Sequence, residues 1–307
     1  MRILPRHICL ACACACAALC WLQNACNTEA QDRGYPTYAR IHEAPVRVPL
    51  TSDDDGRLFV PVTYKGRTSD WLVDTGFFFS ALNQPADIQA ADTDHSHPIV
   101  VGTVAPRVHL DPILVSGGRV EITGWAFLGG PGSGGPTFNI LGIGPLRAAY
   151  ARLDFKARTV TFGGVPLPDR GSYIKIPLEK RDGGILIANC QVGGSPIRCM
   201  VDSGSVITLF DATSSSELAS NGGPQRTVTT YDGTYSVTMV KTAALKVGDF
   251  ACRMPVATSK SVFAPESVFA QMGIFGILGA DFLSKTGAII ALDENAMYIS
   301  TTPRSTQ

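Results

Sequence analysis

The sequence predicts a mostly β protein made of two β lobes related by internal duplication, with a cleft between them, and three observations carry that prediction. Glycine at 31 and proline at 20 of 307 positions suit many short strands and tight turns better than a helical bundle. Two acidic turns of one design, Asp74-Thr75-Gly76 and Asp202-Ser203-Gly204, each end an apolar strand and stand 128 residues apart. An Ile-Leu-Gly element follows each turn, at Ile140-Leu141-Gly142 and Ile277-Leu278-Gly279, 137 residues apart.

The composition supports a packed protein and narrows its partners. With 45% hydrophobic and 17% charged residues the chain can bury a sizeable core. Lysine plus arginine equals aspartate plus glutamate at 26 each, so no net field attracts nucleic acid or an anionic membrane. Residues 1–30 have the layout of a secretory signal: Arg2 and Arg6, an apolar run from Ile8 to Leu22, then a polar turn. Cleavage fits after Ala30 or after Ala25. The run is too short for a membrane span, and Cys26 is a poor lipid anchor because Gln23 stands where a lipid-attachment signal has an aliphatic residue. Export to a periplasm or the exterior follows.

Each copy of the repeat unfolds in the same order. Residues 31–44 form a polar lead, 45–165 a first lobe and 172–302 a second, each of ordinary domain size, with the Gly- and Pro-containing stretch Gly163 to Ser172 as linker. Hairpins are expected where Phe59-Val60-Pro61-Val62 precedes Trp71-Leu72-Val73 and where Ile185-Leu186-Ile187 precedes Cys199-Met200-Val201. Closing hairpins are expected at Ala151–Phe155 with Thr159–Phe162 and at Ile289–Asp293 with Met297–Ser300. Short helices are expected after Phe79, around Ser261–Gln271 and at Gly279–Ser284, and no long helix anywhere.

Six of the nine cysteines lie in the first 26 residues, which leaves Cys190, Cys199 and Cys252 in the mature chain. Cys190 and Cys199 flank Gly193-Gly194-Ser195-Pro196. With Gly194-Ser195 as the central turn pair they oppose each other and could bridge; with Gly193-Gly194 they lie diagonally, beyond easy disulfide reach.

A strand-ending aspartate followed by Thr or Ser and then Gly has a physical logic when it occurs twice. Gly76 and Gly204 allow a turn sharp enough to present the carboxylate, and the hydroxyls of Thr75 and Ser203 can bond across the join between lobes. Asp74 and Asp202 would then face each other at hydrogen-bond distance. Two such carboxylates cannot both ionise cheaply, so the pair holds one proton over a range of pH. One carboxylate can take a proton from water while the other polarises a carbonyl, which hydrolyses an amide with no cofactor and no metal.

The duplicated hydrophobic-Asp-Thr/Ser-Gly turn with its later Ile-Leu-Gly element resembles the retropepsin-like and pepsin-like aspartic peptidases, in particular single-chain bacterial members with two retropepsin-like β-barrel lobes. The resemblance covers residues 45 to 302. It implies a catalytic pair Asp74 and Asp202, inter-lobe contacts from Thr75 and Ser203, loop shaping by Gly76 and Gly204, and a monomer acting on a peptide or protein substrate. It further implies a flap hairpin, for which Thr230-Tyr231-Asp232-Gly233-Thr234-Tyr235 is the best match, with Tyr231 and Gly233 over the cleft. The first-lobe counterpart lies near Val101-Gly102-Thr103. One position departs from the pattern. Ser205 supplies the small hydroxyl residue that commonly follows the turn glycine and supports the aspartate, whereas Phe77 does not, so Asp74 is expected to lean toward its protonated form. Phe77 is also a substrate-pocket candidate, and it motivates the rival reading of a catalytically weak or inactive peptide- or partner-binding protein on the same scaffold.

Other features point to no further chemistry. His95, His97 and His109 lack a third ligand at recognisable spacing. The Gly129–Pro136 stretch lacks the Lys-Ser/Thr ending of a phosphate loop, and no Gly-x-Ser-x-Gly elbow is present.

Overall fold

Each lobe starts from a hairpin closed by two residues at positive φ. Leu58–Tyr64 turns back as Arg67–Asp74 through Lys65 and Gly66, at φ 49° and 76°. Leu186–Val192 turns back as Ser195–Val201 through Gly193 and Gly194, at φ 55° and 83°. Such turns match the right-handed twist of the flanking strands. Alternation then sets the faces: along Leu58–Tyr64 every second side chain, from Leu58 to Tyr64, is buried. The computed structural model describes residues 37–301 apart from 85, 88–92, 102, 129–137, 165–171, 221 and 231–232. The signal segment and the Gly129–Pro136 stretch therefore lie outside the described residues.

The same strand order is built twice. In the first lobe it runs Thr51–Ser52, Leu58–Tyr64, Arg67–Asp74, Ile140–Gly142, Ser80–Leu82, Val120–Leu128, Thr103–Val115, Thr93–Val101. In the second it runs Glu179–Lys180, Leu186–Val192, Ser195–Val201, Gly276–Leu278, Leu209–Asp211, Phe250–Ser259, Gly233–Val247, Gln225–Thr230. Each sheet curls back on itself, through Val62 opposite Val115 in one lobe and Cys190 opposite Val247 in the other. Strand Tyr38–Ile41 adds to the first lobe beside Val120–Leu128. The architecture is thus mostly β and duplicated, as the sequence predicts.

A third, six-stranded sheet joins the lobes. Its order is Tyr173–Pro177, Ala296–Ser300, Ile289–Ala291, Arg152–Asp154, Thr159–Phe162, Val46–Pro49. Both closing hairpins form where expected, and they meet at the centre, with Leu153 opposite Ile290. The outer strands Val46–Pro49 and Tyr173–Pro177 are the entry strands of the two lobes, and the sequence pattern did not mark them. One continuous core runs from Trp71 and Phe162 in the first lobe to Phe210 and Phe282 in the second.

The helices correct the sequence expectation in part. The residues directly after Phe79 form a strand, Ser80–Leu82, because they fill the slot between Ile140–Gly142 and Val120–Leu128, and the helix expected after Phe79 appears beyond it, at residues 86–87. Within Ser261–Gln271 only Val268–Gln271 is helical, capped by the Ser267 hydroxyl accepting from the Ala270 N–H at 3.2 Å. Helix Ala280–Thr286 sits where one was expected. Its first-lobe counterpart Ile143–Ala148 was not expected, although the repeat places it. The cysteine register resolves to the diagonal case: Cys190 faces Ile197, Cys199 faces Ala188, and both thiols are free.

Leu153 and Ile290 are fully buried at the centre of the shared sheet. Leu153→Ala is expected to lower stability by about 2–5 kcal/mol, read as a shift in the urea midpoint.

Candidate active site

The two acidic turns are held in place by the Ile-Leu-Gly elements. Ile140–Gly142 lies parallel to the end of the first aspartate strand, with Gly142 opposite Asp74. Gly276–Leu278 does the same for Cys199–Val201, and the Leu278 carbonyl accepts the Asp202 N–H at 3.0 Å. The glycines are required by the loop that passes over them. A Cβ at Gly142 would stand 1.7 Å from the Phe79 carbonyl oxygen, and one at Gly279 would stand 2.6 Å from that of Ile207. The helix that follows each glycine grips the same loop. The N–H groups of Ile143 and Gly144 donate to the carbonyls of Phe77 and Phe78 at 2.8 and 3.1 Å, and that of Ala280 donates to Ser205 at 2.7 Å.

Between the lobes, Thr75 and Ser203 bond reciprocally, both fully buried. The Thr75 N–H donates to Ser203 Oγ at 3.0 Å, and the Ser203 N–H to Thr75 Oγ1 at 3.0 Å. Each hydroxyl also donates across the join, Thr75 to the Val201 carbonyl at 2.9 Å and Ser203 to the Val73 carbonyl at 2.6 Å. No hydroxyl is left over. The structure therefore brings together the two turns that the sequence pairs.

With the turns clamped, each carboxylate lies on the other lobe's glycine. A Cβ at Gly76 would stand 2.3 Å from Asp202 Cγ, and one at Gly204 would stand 2.3 Å from Asp74 Oδ2. The carboxyl groups hydrogen-bond to each other, and both aspartates remain partly exposed. Each is supported by main-chain donors. Asp74 accepts from Gly76 at 2.8 Å and from the Phe77 N–H, while Asp202 accepts from Gly204 at 2.9 Å and Ser205 at 3.0 Å.

The expected roles of Ser205 and Phe77 change in one respect. The Ser205 hydroxyl donates to the Ile207 carbonyl at 3.0 Å, so it is the Ser205 N–H that reaches the aspartate. The Phe77 amide also lowers Asp74, but less than the Gly76 amide does. The asymmetry of the pair has another origin. Burial raises the pKa of Asp74 well above the ordinary aspartate range, and the nearby Asp202 charge raises it further, against the pull of the Gly76 and Phe77 amides. Burial raises Asp202 as well, but its amides and its bond from Asp74 draw it back. Both carboxyls are therefore raised by burial, Asp74 the more strongly of the two.

The Phe77 ring packs edge-on against Phe127, 5.6 Å between centroids, and Phe79 meets the same ring at 5.3 Å. With Phe59 and Phe138 they line a cluster around Leu72, Ala81 and Ile140. Leu72 is two residues before Asp74 on one strand, so this cluster shares the carboxylate's face of the sheet. Phe78 instead packs against Gly183 of the second lobe. Tyr231 lies outside the described residues; Gly233 begins strand Gly233–Val247 opposite Thr230. A hairpin in the equivalent place in the first lobe sets Val101 opposite Thr103. His109 is exposed and stacks edge-on with Trp125 at 5.2 Å, and the side chains of His95 and His97 lie outside the described residues. No helix among the described residues is long and apolar enough to cross a membrane.

Fold and site together define an aspartic-proteinase architecture, and comparison with known proteins agrees. Residues 188–282 match the aspartyl protease family model, a stretch that contains Asp202 and Gly279. The aspartic proteinase from Irpex lacteus superposes with a TM-score of 0.52 at 13% identity, over 86% of this chain and 99% of that one. No curated protein sequence matches. The resemblance read from the two acidic turns therefore holds in fold across both lobes and in sequence within the second.

Two outcomes are expected. Thr75→Val keeps the shape but orphans the buried Ser203 N–H and Val201 carbonyl, at about 1–3 kcal/mol for each, measurable by denaturant unfolding. The second concerns pH. The folded-state pKa of Asp74 is raised above its unfolded value of about 3.9, so its contribution to stability is present at lower pH and is lost as pH rises through the folded value. Asp74→Asn removes that loss. Its melting temperature is expected to exceed that of wild type at neutral pH and to converge on it below about pH 4.

Proposed function

We propose that the chain is an aspartic endopeptidase in which Asp74 and Asp202 activate one water molecule to hydrolyse a peptide bond. The observation that carries this reading is the reciprocal Thr75–Ser203 clamp, which sets two partly exposed carboxyl groups in hydrogen-bond contact.

In the one-proton form, charged Asp202 takes a proton from the water as its oxygen bonds to the substrate carbonyl carbon. Protonated Asp74 donates to the carbonyl oxygen. Collapse of the tetrahedral intermediate breaks the carbon–nitrogen bond: the proton held on Asp202 passes to the leaving amine, and one hydroxyl proton of the intermediate returns to Asp74 as the carbonyl re-forms. The substrate is a peptide in extended form, held by main-chain bonds beneath the hairpins at Thr230–Gly233 and Val101–Thr103. The Phe77 cluster offers an apolar wall on the first-lobe side. Both acids lie on one chain, so a monomer suffices. The basic and apolar leader fits an exported enzyme. The binding-protein alternative rests on Phe77, whose amide lowers Asp74 but is the smallest of the influences on it.

The one-proton form exists only between the two apparent pKa values of the pair. Below the lower there is no base, and above the upper there is no acid. Burial raises both carboxyls, so the active range is expected to lie above that of ordinary carboxyls. A pH series with casein or mixed peptides is expected to give a bell-shaped profile, and Asp74→Asn or Asp202→Asn to lower kcat by about 10²–10⁴-fold. Wild-type protein that cuts nothing at any pH, or cleavage indifferent to both substitutions, would remove the reading.

A further inference from the structure

The helix Ile143–Ala148 does more than hold its own loop. Its first two N–H groups bind the carbonyls of Phe77 and Phe78, just beyond Asp74. One turn later Arg147 leaves the first lobe altogether. Its Nε donates to the Gly184 carbonyl at 2.9 Å and its Nη1 to the Leu292 carbonyl at 2.9 Å, both in the second lobe. Phe78 lands on the same second-lobe turn, Asp182–Gly184. Gly183 sits there at φ 68°, and a Cβ on it would stand 1.8 Å from Phe78 Cδ1. Beyond the Thr75–Ser203 bonds, the loop carrying Asp74 is thus tied to the second lobe twice more, through Phe78 directly and through the helix and Arg147.

Pseudo-symmetry isolates what is special about Arg147. Ser284 occupies the equivalent helix position, and Gly56 is the equivalent of Gly184. There the link is one bond, Ser284 Oγ to the Gly56 carbonyl at 3.3 Å. The first-lobe helix uses two shorter bonds from a cation that burial disfavours. For stability alone, an apolar side chain of that length serves about as well as a desolvated cation. Two directional bonds to fixed carbonyls do something an apolar side chain cannot: they define where the helix, and the loop it grips, sits against the other lobe.

We propose that Arg147 is the positioning residue that sets Asp74 relative to Asp202, by tying the Asp74 loop to the Gly184 and Leu292 carbonyls of the second lobe. The kinetic consequence rests on the peptidase reading, but the geometric one does not. Among the described residues, the charged group that acts on Asp74 is Asp202, so the titration of the pair reports their separation.

The test compares wild type with R147M, which keeps length and removes the donors, and R147K, which keeps the charge and part of the bonding. Readouts are kcat and KM on a cleaved peptide, the melting temperature, and a carboxyl-carbon NMR titration of the aspartate pair, which needs no turnover. R147M is expected to lower kcat about tenfold to a hundredfold with KM within about twofold. The upper apparent pKa of the pair is expected to move to lower pH as the carboxyls separate and repel less. R147K is expected to recover part of both. Wild-type kcat with an unchanged titration in R147M, whatever its melting temperature, overturns the proposal. Should R147M not fold, R147K decides on the same readouts, with intermediate values in support and wild-type values against. If wild-type protein cleaves no peptide, the peptidase reading falls and the titration alone decides: a shifted pair supports Arg147 as positioning residue, and an unshifted pair overturns it.

Discussion

Four hydrogen bonds between Thr75 and Ser203 and their opposite strands are the constraint on which the rest of the molecule depends. They are buried, reciprocal and complete: each hydroxyl accepts one N–H from the other turn and donates to one carbonyl of the other strand. A hydroxyl with one donor and two acceptor positions is the smallest group that can do both. Because the bonds run between copies of one motif, they also fix the symmetry relation of the lobes. The six-stranded sheet below repeats that relation in its central pairing of Leu153 with Ile290. The clamp and the sheet hold the lobes together at two levels, and the carboxyl groups sit at the upper one.

The close approach of the carboxyl groups depends on glycine at four positions where the chain touches itself. Gly76 and Gly204 leave room for the opposite carboxylate, and Gly142 and Gly279 for the carbonyls of the loop that passes over them. These four glycines form two nested contacts in each lobe, one against the partner aspartate and one against the lobe's own loop. That nesting explains why the acidic turn and the Ile-Leu-Gly element occur together. Neither is useful alone, because the turn needs the parallel strand to present its aspartate and the strand needs a glycine to let the loop by.

Much of this was legible in the sequence because it is carried by repeated local patterns. The hairpins, the acidic turns and the closing hairpins are each set by turn glycines and apolar strands within a few residues. The entry strands Val46–Pro49 and Tyr173–Pro177 were not legible, since each is short and gains its place from a sheet assembled by distant segments. Helix Ile143–Ala148 was obscured by Gly144 and Pro145, poor helix formers that are tolerated in a first turn. The partner of the Ser205 hydroxyl was a matter of direction: the sequence supplies the group, but only the loop's course shows that it faces Ile207 and leaves the N–H to Asp202. The reach of Arg147 into the second lobe has no local signal at all.

The duplication also explains why the site can hold a single proton in a defined place. Two identical lobes would present identical carboxyl groups, and the proton would have no preferred home. Here burial raises both carboxyls, and the two differ in how each acts on the other: the Asp202 charge raises Asp74, while the bond with Asp74 lowers Asp202. On the first-lobe side Phe77, Phe79 and Phe127 pack around the approach to Asp74, while the equivalent second-lobe positions carry Ser205, Ile207 and Ala257. Bulky apolar rings exclude water more completely than a serine and an alanine, and excluding water disfavours the charged carboxylate. The rings at Phe77, Phe79 and Phe127 thus put an apolar wall beside Asp74, in addition to the burial that raises both carboxyls.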